Sequence, residues 1–226
     1  VTSLQDGYGG VDRFRFTGNT AARATVSKTN SNTTPENGFK SALKIDVSTA
    51  DTSIASGDYH YLGYRFEGRH LQHIKKGTSS AESLTLQFWV RSPKTGTHIV
   101  QLYDNDNNRG ISQAYTVSSA NTWEKKSLTF AGNTLGVINN DNGHGVYLQW
   151  ILVAGSDFTS TDNTSWSAYA TGKLAYGHST NTHATTDEST WQIAGVQWEL
   201  GEVATPFEHI SYAENLAKCQ RYFYNG

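Results

Sequence analysis

Residues 83–106, SLTLQFWVRSPKTGTHIVQLYDND, decide the fold class because apolar and polar side chains alternate along most of their length. A period of two places successive side chains on opposite faces of a β-strand. The segment SPKTGT between the two alternating runs predicts a hairpin turn. The side chains expected to face a hydrophobic interior are Leu84, Leu86, Phe88, Val90, Val100 and Leu102.

Similar runs, separated by polar turns, recur along the chain. The other candidate strands are 11–16, 21–27, 42–48, 60–67, 111–117, 124–130, 145–153 and 190–200. Their spacing leaves no room for intervening helices, so antiparallel pairing is expected throughout. The sequence therefore predicts an all-β, antiparallel β-sandwich of the jelly-roll type.

The C-terminal tail departs from the β pattern. Ser211 and Glu214 have the spacing of a capping box, which predicts a short C-terminal helix ending near Gln220. Leu216 and Cys219 are three residues apart and are expected to face the core. Residues 1–226 are interpreted as a single domain, and the absence of any Met indicates the C-terminal module of a longer chain.

Composition excludes several classes of partner. The chain has 226 residues, a formal net charge of −2 and no basic field that would attract nucleic acid. Its longest apolar runs are roughly ten residues, too short for membrane insertion. Cys219 is the single cysteine, so neither an intrachain disulfide nor a multi-cysteine zinc site is expected.

The loop YDNDNNRG begins like a calcium loop, with oxygen-bearing side chains at Asp104, Asp106 and Asn108. A calcium loop of the helix-loop-helix kind needs Gly at position 6 and Glu at position 12. Those positions are Arg109 and Tyr115, so the loop is interpreted as a turn. The metal ligands stay unknown and no cofactor is indicated, although a structural calcium ion elsewhere is compatible with the sequence.

Catalytic patterns are weak, and the chain is not expected to be an enzyme. His70 and His73 form a spaced pair without a recognisable third zinc ligand. A glycosidase needs two carboxylates flanking a cleft, and the candidates beside strands are Glu67, Glu199 and Glu202. The more ordinary role of Glu199 is to accept hydrogen bonds from neighbouring loop amides.

The outward strand faces are more informative, because flat rings suit sugar C–H faces and amides or guanidinium groups suit hydroxyls. Both faces of 145–153 are apolar, and the outward face was assigned by analogy with the hairpin. The predicted ligand-binding residues are Gln87, Trp89, Arg91, Gln101, Tyr103, Tyr147 and Gln149. The alternative is that a second layer, a long loop or a neighbouring subunit covers these aromatic residues.

Several stretches resemble the C-terminal jelly-roll domains of bacteriophage tail-fibre and related virion proteins, which are themselves similar to β-sandwich carbohydrate-binding modules. The resemblance covers nearly the whole chain and is most specific over 195–223, where Trp198 replaces a more usual Leu. The stretches are VDRFRFTG, LTLQFWVRSPKTGTHIVQLYDNDNNRGISQAYTVSSANTWEKKSLTFAG, NTSW and WQIAGVQWELGEVATPFEHISYAENLAKCQRYF.

The resemblance implies a non-enzymatic domain on the virion surface, in the tail or capsid, which is extracellular and serves host recognition. Its expected partner is a cell-surface glycan or polysaccharide, and a homotrimer is the expected assembly. The alternative is a purely structural trimerising or capsid-decorating module with no sugar ligand. Specificity is expected in the loops 104–110 and 154–189.

Overall fold

A computed structural model describes residues 2–4, 6–7, 14–30, 35, 39–178, 183–187 and 189–220. Strands β1–β13 are Thr2–Leu4, Asp6–Gly7, Arg15–Gly18, Arg23–Asn30, Ser41–Thr49, Tyr59–Glu67, Leu84–Arg91, Gly96–Asp104, Arg109–Val117, Glu124–Phe130, His144–Ala154, Ser167–Ala168 and Thr190–Leu200. The helix α1 is Tyr212–Gln220. Short 3₁₀ turns are Gly68–His70, Gln72–Ile74, Ser156–Phe158, Thr171–Lys173 and His183–Thr185.

The strands form two antiparallel sheets packed face to face, which confirms the predicted all-β sandwich. The six-stranded sheet has the order β1-β4-β5-β13-β7-β10 and the seven-stranded sheet has the order β12-β9-β8-β11-β6-β3-β2. Strand bounds follow the alternation closely, and β10 and β13 match the predicted 124–130 and 190–200. Of the predicted strand 11–16, positions 11–13 lie outside the described residues.

The predicted hairpin between β7 and β8 is wrong. These strands lie in different sheets, and residues 92–95 carry the chain across the sandwich. The edges of β7 are occupied by β10 and β13, and those of β8 by β9 and β11. The physical reason lies in the turn, because this segment with Pro93 lacks the two-residue Asn-Gly type of loop that enforces a hairpin.

The core fills the space between the sheets as the alternation predicts. Phe88 of the six-stranded sheet meets Trp150 of the seven-stranded sheet edge to face, with ring centroids 5.8 Å apart. Trp150 is fully buried together with Leu148 and Leu152, so the assignment of Tyr147 and Gln149 to the outer face is confirmed. Trp198 is partly buried against this core.

The segment after β13 covers part of the outer face of the six-stranded sheet. Thr85 Oγ1 donates a hydrogen bond to Gly201 O at 2.7 Å, and Gln87 Nε2 donates one to Thr205 O at 2.5 Å. These polar side chains are consequently buried although the alternation places them on the outward face. The covering segment is 201–209, and we refer to it as the C-terminal strap.

The helix α1 begins as predicted, because Ser211 Oγ accepts a hydrogen bond from the backbone N of Glu214 at 3.2 Å. Leu216 is 40% exposed, however, so its predicted contact with the core is wrong. Spacing along a helix fixes which residues share a face but not whether a neighbouring surface receives that face. The side chain of Cys219 lies outside the described part of the structure.

The loop 103–110 is a turn, as interpreted from the sequence. The Asp104 carboxylate is buried, accepts a hydrogen bond from Lys76 Nζ and also accepts the backbone N of Asn107 at 3.2 Å. Asp106 Oδ2 accepts the backbone N of Asn139, and Asn108 Oδ1 accepts the hydroxyl of Tyr103 at 2.9 Å. Each of the three oxygen-bearing side chains therefore accepts hydrogen bonds from different groups of the protein. No helix in the described residues is long and apolar enough to cross a membrane.

Candidate functional site

A groove of about 360 Å³ lies on the outer face of the seven-stranded sheet, along β11 and between β6 and β8. Its floor and sides are mostly aromatic, with amide groups between the rings. The residues that line it are Tyr59, Tyr61, Arg65, Gln101, Tyr103, Asn105, His144, Tyr147, Gln149, Phe158, Tyr169 and Leu174.

Strand register brings the floor together. Tyr147 of β11 lies opposite Tyr103 on β8 and opposite Arg65 on β6. Two residues along the same strand, Gln149 lies opposite Gln101 on β8. Since residues two apart share a face, the predicted outward residues of β8 and β11 form one continuous surface.

The ring of Tyr147 lies across β6 because Gly63 has no side chain. A Cβ atom placed on Gly63 would lie 2.3 Å from Cε2 of Tyr147, closer than the two atoms can approach. The guanidinium carbon of Arg65 lies 4.8 Å from the centroid of the same ring. Burial raises the pKa of Tyr147, and Tyr61 adds to the rise, so its hydroxyl keeps its proton at neutral pH.

Aromatic residues stand on both sides of the floor. On the β6 side, Tyr59 and Tyr61 are stacked with ring centroids 5.7 Å apart and an interplanar angle of 13°. Phe158 meets Tyr59 edge to face at 5.4 Å. On the β8 side, Tyr103 and Tyr169 meet edge to face at 5.1 Å. Rings on either side of a polar floor can contact the two apolar faces of a sugar chain.

Part of the loop 154–189, one of the two loops where specificity is expected, closes one end of the groove. Leu174 packs on Ile99 and Ile151 of the sheet. Lys173 O accepts a hydrogen bond from Gln101 Nε2 at 3.2 Å. The other amide atom of Gln101, Oε1, is buried and has no hydrogen-bond partner among the described residues. The floor thus carries one buried amide oxygen, that of Gln101, whose hydrogen-bonding capacity is not used among the described residues.

Three of the predicted ligand-binding residues lie elsewhere. Gln87, Trp89 and Arg91 are on the outer face of the six-stranded sheet, on the opposite side of the sandwich. Gln87 is 1% exposed beneath the C-terminal strap, and Arg91 Nε donates to Asn121 O at 2.8 Å. The single surface expected from the sequence does not form because β7 and β8 do not pair with each other.

The site residues predicted from the sequence include neither the residues of β6 that form one side of the groove nor Tyr169. Tyr61 and Arg65 alternate with inward residues within the predicted strand 60–67, so the signal for them is present in the sequence. Tyr59 lies one residue before that predicted strand, at the start of the observed one. What was missing was the neighbour of that strand, because periodicity shows a face but not the strand beside it. Tyr169 is joined to the site through a long loop, and no local pattern indicates its position.

Glu199 is bound in the way expected of a loop anchor. Its carboxylate accepts hydrogen bonds from the backbone N of Thr205 at 2.8 Å and from the Thr205 hydroxyl at 2.6 Å. Burial alone would raise the pKa of Glu199, but the hydrogen bonds from Thr205 and Gln197 lower it overall. Within the described residues no Asp or Glu lines the groove, and no three His, Cys, Asp or Glu side chains are grouped to hold a metal.

No protein-family model and no curated protein matches the sequence. Among solved structures, the chain is similar to a family 11 carbohydrate-binding module of a cellulosomal cellulase from Clostridium thermocellum, at 9% identity and a TM-score of 0.45, covering 91% of this chain and 98% of that one. It is also similar to the enzymatically active domain of tailspike protein 4 of bacteriophage CBA120, at 13% identity and a TM-score of 0.44.

That alignment covers 83% of this chain but only 19% of the tailspike chain. An exo-β-agarase is similar at 9% identity and a TM-score of 0.44, with 83% of this chain and 23% of the agarase covered. Similarity at these identities concerns the β-sandwich arrangement and does not identify a ligand. The solved structures that resemble this chain therefore include both a carbohydrate-binding module and parts of enzymes.

Proposed function

We propose that the chain is a non-catalytic carbohydrate-binding domain whose ligand lies in the groove over β6, β8 and β11. The observation that carries the proposal is the groove itself, where tyrosines on both sides flank a floor of Gln101, Tyr147 and Gln149. Tyrosine rings can stack on sugar faces while the amides bind hydroxyl groups. Burial raises the pKa of Tyr103 and Tyr169, so their hydroxyls also remain hydrogen-bond donors at neutral pH.

The proposed setting is the receptor-recognition end of a phage tail fibre or a related virion protein. The support is the sequence resemblance, above all over 195–223, and the ligand would be a polysaccharide or glycan on the bacterial surface. In that setting the domain is displayed outside the host cell on the particle.

A second candidate is a structural module that assembles into trimers without binding sugar. It is favoured by apolar side chains exposed near the C-terminus, since contiguous exposed apolar surface often marks an interface. Val203 is 77% exposed, Tyr212 81% and Leu216 40%. Sedimentation equilibrium of the wild type and of Tyr212→Ser tests this candidate, because a trimer held by this surface should dissociate in the variant.

Affinity electrophoresis against a panel of bacterial surface polysaccharides tests the groove. We expect Tyr103→Ala to weaken binding roughly tenfold, because it removes one stacking ring from the β8 side. Trp89→Ala is the matched control, since it removes a partly exposed ring from the opposite face of the sandwich. Equal losses in the two variants, or no retardation by any polysaccharide, would count against the proposed site.

A further inference from the structure

The groove has a marked charge imbalance at one end. The Arg65 guanidinium lines it beside His144, whereas no described carboxylate does, although the chain as a whole carries a net charge of −2. Asp104 follows Tyr103 in the sequence, but its carboxylate is buried against Lys76 and does not line the groove. Glu67 lies opposite His144 in the strand register and is not part of the groove lining.

The guanidinium of Arg65 is held in place but is not neutralised. It lies over the ring of Tyr147, a contact that fixes its position through the ring without using its N–H donors. Among the described residues, no hydrogen bond or ion pair to Arg65 is present. A guanidinium offers donors in a planar fork that matches a carboxylate or a sulfate ester.

A second cation strengthens the positive potential at this end. Arg15 lies on β3 opposite Gly63, on the strand next to the one that carries Arg65. Burial lowers the pKa of His144, and the charges of Arg65 and Arg15 lower it further. Both of the charges that lower the pKa of His144 are positive, and a positive potential at this end of the groove favours an anionic ligand group.

We infer that the groove selects acidic saccharides and that Arg65 binds their anionic group, a carboxylate or a sulfate ester. The inference rests on the proposed function and names the ligand class of the same site. In this arrangement the sugar rings contact the tyrosines, while the anionic substituent lies at the end occupied by Arg65 and His144. Neutral glycans make only the first set of contacts and bind more weakly.

The test compares acidic polysaccharides with neutral counterparts of the same backbone, using isothermal titration calorimetry. Polygalacturonate and alginate are paired with their carboxyl-reduced forms, and dextran sulfate is paired with dextran. We expect the wild-type protein to bind at least one acidic form about tenfold more tightly than its neutral partner, as a charge-assisted hydrogen bond predicts. The carboxylate and sulfate pairs show which anionic group is preferred.

Variants then assign the preference to one residue. Arg65→Gln should weaken binding of the acidic form much more than binding of its neutral partner, while Arg65→Lys should restore part of the preference because it keeps the charge. Arg91→Gln removes the same charge from the opposite face of the sandwich and should have no effect. Thermal unfolding of each variant shows whether the fold is retained.

The outcomes separate this inference from the proposed function. Equal binding of acidic and neutral forms, with loss in Tyr103→Ala, overturns the acidic preference and leaves the carbohydrate-binding groove in place. A preference that falls equally in Arg65→Gln and Arg91→Gln reflects overall charge and also overturns the inference. If none of the acidic or neutral polysaccharides binds, both the acidic preference and the proposed carbohydrate-binding function are overturned.

Discussion

At the scale of single residues, the groove depends on a side chain that is absent. Gly63 lies in the middle of β6, and the ring of Tyr147 occupies the space where any larger residue would place its Cβ. Tyr147 in turn supports the guanidinium of Arg65. One glycine therefore determines the position of an aromatic ring and, through that ring, of a cation.

We predict that Gly63→Ala weakens glycan binding and lowers the free energy of unfolding by about 1–3 kcal/mol, because the added methyl group overlaps Tyr147. Gly110→Ala is the control on the same sheet, since a Cβ there would lie 3.4 Å from its nearest neighbour. Urea unfolding and calorimetric titration measure both effects. If Gly63→Ala behaves like Gly110→Ala, the close contact with Tyr147 does not constrain the groove.

At the scale of elements, the C-terminal strap shows why alternation did not predict exposure. Thr85 and Gln87 have the polarity of solvent-facing residues, yet the strap buries them and supplies the carbonyl groups that their side chains bind. Glu199 holds the strap through Thr205. The strap buries the first half of β7 on both faces, whereas Trp89 and Arg91 stay partly exposed, as the alternation predicts for the outer face.

We predict that Glu199→Ala releases the strap and lowers the free energy of unfolding by about 1 kcal/mol, since it removes hydrogen bonds to a partly exposed carboxylate. Amide hydrogen exchange should then increase around Thr85 and Gln87. Glu202→Ala is the control, because that exposed carboxylate lies in the strap but does not hold Thr205. Unchanged exchange in Glu199→Ala would show that the strap is held by other contacts. Sugar affinity should not change, because the groove is on the opposite sheet.

The strands also show which parts of the fold and of the groove could be predicted from the sequence. Strand positions and inward faces followed from periodicity, because each strand needs one apolar face against the core. Pairing did not follow, since residues 92–97 are compatible with either a hairpin or a crossing between sheets. The outward residues of β8 and β11 were therefore placed together correctly. Trp89 was expected beside them, but it lies on the outer face of the other sheet. Tyr169 depends on a long loop whose path is fixed only by tertiary contacts.

At the scale of the whole molecule, buried histidines lie both on strands of the seven-stranded sheet and in the loop 154–189, part of which closes the groove. His60 is on β6, His98 is on β8 and His183 lies in the turn His183–Thr185. His60 Nε2 lies 2.8 Å from the Thr20 hydroxyl. Burial lowers the pKa of His60 and His98 from 6.5 to about 4 and that of His183 to about 3. For His183, the neighbouring His60 and His98 contribute to the decrease.

The sign of the resulting pH dependence follows from proton uptake. In the unfolded chain these imidazoles take up protons as the pH falls through about 6.5, whereas in the folded protein they stay neutral down to about pH 4. Their contribution to stability is therefore complete above about pH 6.5 and is lost between about pH 6.5 and 4. The lowered pKa of Glu199 acts in a different window, because stability from that carboxylate is lost only below its ordinary pKa of 4.5.

We predict that the free energy of unfolding is nearly constant above about pH 7 and falls steeply between about pH 6.5 and 4, by up to roughly 1.4 kcal/mol per pKa unit for each histidine. His60→Gln should reduce this slope, because glutamine can bind Thr20 without titrating. His73→Gln, at an exposed position, should leave the slope unchanged. Urea unfolding across this range measures it. A wild-type slope near zero would mean that water reaches these histidines and lets them protonate in the folded state.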